Sequence, residues 1–147
     1  MNWGYVIGLL GVGLCVLLCG VGSAIGLKKT GQAAAGILSE DPKKFSKALV
    51  LVVLPATQGI YGFVFGIIGM GSCNAAMTLA QGFQVFLAAL PLAVVGFASA
   101  VHQGNTAASC IHAVAKKESL SGKLILFPAM VETYAILALV ISLLLMA

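Results

Sequence analysis

Leu124–Ala147 reads LILFPAMVETYAILALVISLLLMA, and Glu132 is its only charged side chain. The run is long enough to cross the hydrocarbon core of a bilayer, which takes about 20 helical residues. A carboxylate at that depth costs roughly 2.5–3.5 kcal/mol on insertion scales, and such residues usually mark ion or proton pathways. The competing reading is a neutral Glu132, hydrogen-bonded inside a helix bundle for structural reasons.

The rest of the chain has the same character. It has 147 residues, 61% hydrophobic and 8% charged, with a mean hydropathy of +1.10. Soluble domains carry about 25% charged residues, so a soluble domain is excluded and one membrane domain is expected. Apolar segments run from about Trp3 to Leu27, continuing helically through Gly31–Leu38, then from Phe45 to Gly71, Ala75 to Ala115 and Ser121 to Met146. Ser39–Pro42 breaks the chain before the second segment, with Pro42 suited to a helix start. Gly71–Asn74 is a short turn, and Lys117–Gly122 separates the last two segments. The first residues lack a basic leader and a cleavage site, so the first apolar run is read as a retained transmembrane helix. The fold class is therefore an all-α membrane protein with four transmembrane helices.

All eight basic residues are lysines: Lys28, Lys29, Lys43, Lys44, Lys47, Lys116, Lys117 and Lys123. They cluster at the first and third connections, and the Gly71–Asn74 turn carries none. The positive-inside rule puts loops 38–44 and 116–122 in the cytoplasm and both termini outside, in a multi-pass cell-membrane protein. No aromatic or arginine pattern accompanies the lysines, so nucleic acid is not an expected partner. Cys15 and Cys19, one turn apart in an apolar span, read as small hydrophobes. Glu40, Asp41 and Glu118 read as solvated loop charges, and His102 and His112 as interfacial residues. No nucleotide-binding motif is present, and no catalytic residues are expected.

The chain contains an internal duplication. Leu54–Gly62 (LPATQGIYG) aligns with Phe127–Ala135 (FPAMVETYA), matching Pro55 with Pro128, Ala56 with Ala129 and Tyr61 with Tyr134. Glu132 falls opposite Gly59. Gly22–Ile25 (GSAI) likewise matches Ala98–Val101 (ASAV). The chain reads as two tandem hairpins, 1–74 without a membrane carboxylate and 75–147 carrying Glu132. Their parallel orientation suits a ring-forming hairpin better than an inverted-repeat transporter. Glycines at positions 4, 8, 11, 13, 20, 22 and 26 of the first segment suit close helix contact. They predict tightly packed first and third helices on the inside, with the second and fourth outside.

Several polar residues fall at the depth of Glu132. Leu54, Thr57, Gln58 and Tyr61 share one helix face at 100° per residue. Pro55 removes a backbone donor, freeing the Leu51 carbonyl and loosening the ladder, so that a carbonyl of this turn, such as that of Leu54, can face a ligand. Gln103 lies on the third segment, one turn from Ser99. One carboxylate, two amide oxygens, a hydroxyl and a carbonyl form an all-oxygen set for a hard cation. A proton would need only the carboxyl. The structural alternatives are a Thr57 hydroxyl bonded to its own helix and interhelical bonding by the two glutamines.

The LPATQGIYGF stretch at Leu54–Phe63, Gln103, and Glu132 in its PAMVETYA run together resemble the membrane rotor subunit of bacterial Na+-transporting V-type ATPases. This is the duplicated four-helix proteolipid called subunit K or c, and the resemblance covers essentially the whole chain. It implies a ring of identical copies turned by ATP hydrolysis in a separate soluble head. It also implies Na+ bound by the Leu54 carbonyl, Thr57, Gln58, Gln103 and Glu132, with Tyr61 hydrogen-bonded to the carboxylate. The implied partners are other copies of the chain, membrane lipid, a central-stalk subunit on the cytoplasmic loops, and a stationary subunit. That last subunit supplies the basic residue that dislodges the ion, since this chain has no arginine. The alternatives are an H+-carrying V-type rotor subunit, or a four-helix channel or secondary transporter with Glu132 lining a pore.

Overall fold

The computed structural model describes residues 2–146. Its first helix, α1 (Trp3–Glu40), is unbroken for 38 residues, about 57 Å at 1.5 Å per residue. Asn2 caps its start, its side-chain oxygen accepting from the amides of Gly4 and Tyr5. The second span is segmented into a 3-10 turn (Pro42–Lys44), α2 (Phe45–Val53), a second 3-10 turn (Leu54–Ala56) and α3 (Thr57–Ser72). The third is α4 (Leu79–Lys116), again 38 residues. The fourth comprises a 3-10 turn (Glu118–Leu120), the short α5 (Ser121–Leu124) and α6 (Leu126–Met146). Four helical stretches are long and apolar enough to cross a membrane. The two long helices exceed a hydrocarbon core of about 30 Å.

α1 and α4 lie against each other along their length, α3 packs on α1, and α6 packs on α4. Glycine permits the long contact. A Cβ on Gly104 would collide with the backbone of Gly26, and one on Gly82 with that of Gly4. A Cβ on Gly22 would stand 2.8 Å from Phe97 Cα, too near for any side chain to fit. The tight pairing of first and third helices expected from glycine content is thus present, while Gly13 and Gly20 face open space. Buried apolar side chains fill the seams in three clusters, around Leu51 and Ile111, around Phe65 and Leu92, and around Val12 and Val85.

Two boundaries differ from the sequence expectation. The turn between the second and third spans occupies residues 73–78 rather than Gly71–Asn74, and the third helix starts at Leu79 rather than Ala75. Thr78 and Gln81 form a reciprocal capping box that fixes the start. Asn2 donates to the carbonyls of Ala75 at 2.7 Å and Met77 at 3.0 Å, pinning those residues in the turn.

The two halves repeat closely at the lysine-bearing end. α1 and α4 end 76 residues apart, at caps of nearly identical conformation (Asp41 φ −144°, ψ 96°; Lys117 φ −145°, ψ 93°). A 3-10 turn follows each. Two of the loop acids, Asp41 and Glu118, are engaged rather than merely solvated. Asp41 caps the Lys43 amide and lies 3.7 Å from Lys44. Lys44 reaches across to the Ala115 carbonyl at 2.9 Å, and Lys47 pairs with Glu118. The two loops are therefore tied together.

Candidate functional site

The site begins at the break in the second span. Pro55 has no amide proton and cannot continue an α-helical ladder, so Leu54–Ala56 forms a 3-10 turn. Two hydroxyls of α1 take up backbone groups on either side of it. Thr30, fully buried, lies 3.0 Å from the Val52 carbonyl as well as close to its own helix at Gly26 and Leu27. Ser23 accepts from the Gly59 amide at 2.7 Å. The carbonyl engaged across helices just before the break is that of Val52. Ser23 and Thr30 were not singled out from the sequence, because isolated hydroxyls on an apolar helix usually bond their own backbone.

Beyond the break, every residue expected at the site joins one hydrogen-bond network. The Thr57 hydroxyl lies 3.0 Å from the Leu54 carbonyl and 3.3 Å from Gln58 Oε1. Gln58 Nε2 donates to Gln103 Oε1 at 2.7 Å and to Ser99 Oγ at 3.3 Å. Gln103 Nε2 donates to the Pro128 carbonyl at 3.0 Å and to Glu132 Oε2 at 3.3 Å. Tyr61 donates to Glu132 Oε1 at 2.6 Å. Ser99 donates onward to the Val131 carbonyl at 3.0 Å. Gln58 and Gln103 are both 0% exposed, while Glu132, Thr57 and Tyr61 are half-buried. Two glutamines buried at an apolar helix junction are costly unless fully bonded, and here both amide protons of each are used.

The chemistry follows from this convergence. Glu132 supplies one negative charge, and among the described residues none of the lysines pairs with it. The hydrogen-bond chain connects it, through Gln103 and Gln58, to the oxygens of Thr57 and Leu54 on the second span. Oxygen-rich surroundings with one net charge suit a hard monovalent cation. Gln103 presents its nitrogen to Glu132, so serving a cation would require a half-turn of that amide to bring its oxygen inward. His102 and His112 are exposed and lie outside the network.

The position equivalent to Glu132 in the first half holds no acid. A Cβ on Gly59 would stand 3.0 Å from Ser23 Oγ and 3.2 Å from Ser23 Cβ. Ser23 thus crowds this position, and any side chain there would have to push it aside by a few tenths of an ångström.

Comparison with known proteins places the chain in a family. A family described as the C subunit of ATP synthase matches the chain twice, at residues 10–69 and 86–145, two stretches displaced by 76 residues (86 − 10 = 145 − 69 = 76). The chain is 44% identical to the V-type sodium ATPase subunit K of Enterococcus hirae, over 98% of this chain and 92% of that one. It is 38% identical to the A-type ATP synthase subunit K of Methanocaldococcus jannaschii, over 96% of this chain and 62% of that one. Identity to the 16 kDa proteolipid of the V-type proton ATPase of Rattus norvegicus is 24%, over 94% of this chain and 89% of that one. With both halves matched and four apolar helices in place, the chain is a multi-pass membrane proteolipid that belongs to the family of ATP synthase C subunits.

Proposed function

We propose that the chain is the ion-carrying rotor subunit of a V-type ATPase and that the ion is Na+. The carrying observation is the single network that joins Thr57, Gln58, Gln103, Tyr61 and Glu132. The ligands would be the Leu54 carbonyl, the Thr57 hydroxyl, the Gln58 and Gln103 amide oxygens and the Glu132 carboxylate. A dehydrated Na+ needs several oxygens in place of its water, and this set supplies them together with the compensating charge. Tyr61 orients the carboxylate. The similarity to a sodium ATPase subunit supports the choice of ion. An H+-carrying rotor would need Glu132 alone and would leave two fully buried glutamines without a task.

In this reading copies of the chain close into a ring. Each copy is built from hairpins 1–74 and 75–147, with α1 and α4 on the inside and the other spans facing lipid. ATP hydrolysis in a separate head turns the ring through a central stalk docked on the cytoplasmic loops 38–44 and 116–122. Both termini lie outside. Each Glu132 gives up its ion where it meets a basic residue of a stationary membrane subunit.

The test is carbodiimide labelling of Glu132 in the purified ring, across pH, with and without Na+. Carbodiimide attacks the protonated carboxyl. Protection by Na+ but not K+, abolished by Gln58→Ala or Gln103→Ala, is the expected result. Labelling that follows pH alone and ignores Na+ would assign the chain to H+ transport.

A further inference from the structure

Lys28 and Lys29 lie far below the loop that follows α1. Lys29 stands 11 residues before the end of the helix (40 − 29 = 11), a rise of about 17 Å. Gly26 abuts the backbone of Gly104, beside Gln103, so both lysines sit within about one turn of the level of Glu132 and its network. They occupy the side of α1 turned away from that network. Thr30, which braces the second span, is about 200° around the helix from Lys28 at 100° per residue. Charged side chains at such depth face a cavity or a partner. Lys29 donates to Asn105, and among the described residues neither lysine has an acidic partner.

From this pair to the helix ends, the open seam between α1 and α4 is polar. A groove of about 500 Å³ lies between the last turns, lined by Gly36, Ile37, Glu40, His112, Ala115 and Lys116. α2 covers the other side of the same two helices, where Ala48 and Leu51 cluster with Ile37 and Ile111. The groove therefore opens on the face away from the second span. A shift of 76 residues carries Lys29 onto Asn105, Gly36 onto His112 and Glu40 onto Lys116, and each pair stands together at the seam. The two halves differ in charge here, an acid on α1 beside a base on α4. Gly36 keeps the middle open, with nothing within 4 Å of where its Cβ would be. Glu40, His112 and Lys116 are exposed, and among the described residues Glu40 and Lys116 form no ion pair.

Given the ring reading above, on which this rests, the face looks toward the ring axis. We propose that it is a seat for the central stalk, whose subunit inserts an acidic segment into the ring as far as Lys28 and Lys29 as well as resting on the loops. Charge decides the occupant. Lys28, Lys29 and Lys116 against Glu40 leave two net positive charges on this face of each copy (3 − 1 = 2), and the ring repeats them around its axis. The deepest pair is purely cationic, so the leading end of the segment carries carboxylates. At the rim, where Glu40 and Lys116 alternate, the segment carries both signs. Lipid is the poorer occupant, because Glu40 repels a phosphate headgroup and a wall polar for about 17 Å offers nothing to acyl chains.

The test uses the assembled ATPase in its membranes, with Cys73→Ser removing the native thiol that is not buried. Ser109 is exposed on α4 between Asn105 and His112. Ser109→Cys should react with a membrane-impermeant maleimide in membranes stripped of head and stalk, and severalfold more slowly in the full complex. Equal reaction in both overturns the insertion. No reaction in either means that lipid fills the seat, which overturns it as well. Lys28→Glu with Lys29→Glu should lower the salt concentration that releases the stalk by about half, since exposed ion pairs are screened by salt. Lys47→Glu with Lys123→Glu makes the same charge change on the second and fourth spans and should lower it less. Equal losses from the two pairs, with the ring multimer intact on a gel, overturn the seat. Membranes in which the parent chain carries no ATP-hydrolysing head overturn the rotor reading itself, and the seat falls with it.

Discussion

Tyr61 and Gln103 hold the two oxygens of Glu132 from different spans, so the chain itself fixes the orientation of the carboxylate. A hydrogen bond to a charged group is worth about 1.5–3 kcal/mol. Tyr61→Phe removes one without changing the packing volume much, and should weaken Na+ protection of Glu132 against carbodiimide by about 10-fold or more. Equal protection in the variant would show that Tyr61 only packs there. Ser99 sits one bond further out, between Gln58 and the Val131 carbonyl. Ser99→Ala should have a smaller effect on the same Na+ titration, since Gln58 keeps its shorter bond to Gln103. The carboxylate and its glutamines stood out in the sequence because charge and amide are rare at membrane depth. Ser23 and Ser142 did not, although Ser142 accepts from the Leu92 amide at 3.1 Å, next to Pro91 within α4. Nothing local distinguishes a serine that bonds its own helix from one that repairs a neighbour's.

At the scale of elements, the broken second span is the part on which the site depends most. The proline predicted a break, but not that α1 would brace it from both sides. Thr30→Val keeps the shape and deletes the hydroxyl, leaving the part-buried Val52 carbonyl without that partner, at a cost of about 0.5–1.5 kcal/mol. The ring should then dissociate at lower temperature on a denaturing gel, and Na+ affinity should fall with it because Thr57 and Gln58 follow the braced turn. A ring as heat-resistant as the parent would mean the turn holds itself. The span limits were readable from hydropathy within a few residues. The start of α4 was not, because a capping box and a side chain 75 positions away, Asn2, decide it.

Over the whole molecule, the contact between α1 and α4 depends on absent side chains. Gly104→Leu should prevent the halves from closing and abolish the ring, read as loss of the multimer from detergent extracts. Gly122→Ala, with nothing within 4 Å, should leave it intact. At the lysine-bearing end, Glu118→Gln removes an exposed ion pair with Lys47. Such pairs contribute about 0–1 kcal/mol, so ring stability should change by no more than a few degrees in a thermal melt. The tandem architecture was legible in the sequence through Pro55/Pro128 and Ser23/Ser99. The exact 76-residue offset at the loops became plain only with the matching caps of α1 and α4.

Gly59, held against Ser23, leaves each pair of hairpins with one carboxylate instead of two. A rotor of fixed circumference built this way loads half the cargo per revolution. The torque from each turn is then divided among fewer ions, and each can be pushed against twice the opposing force. Voltage alone opposes a monovalent cation by about 2.3 kcal/mol per 100 mV. A single glycine thus sets a low gear, in which transport is slower in ions per turn but able to work against a steeper gradient.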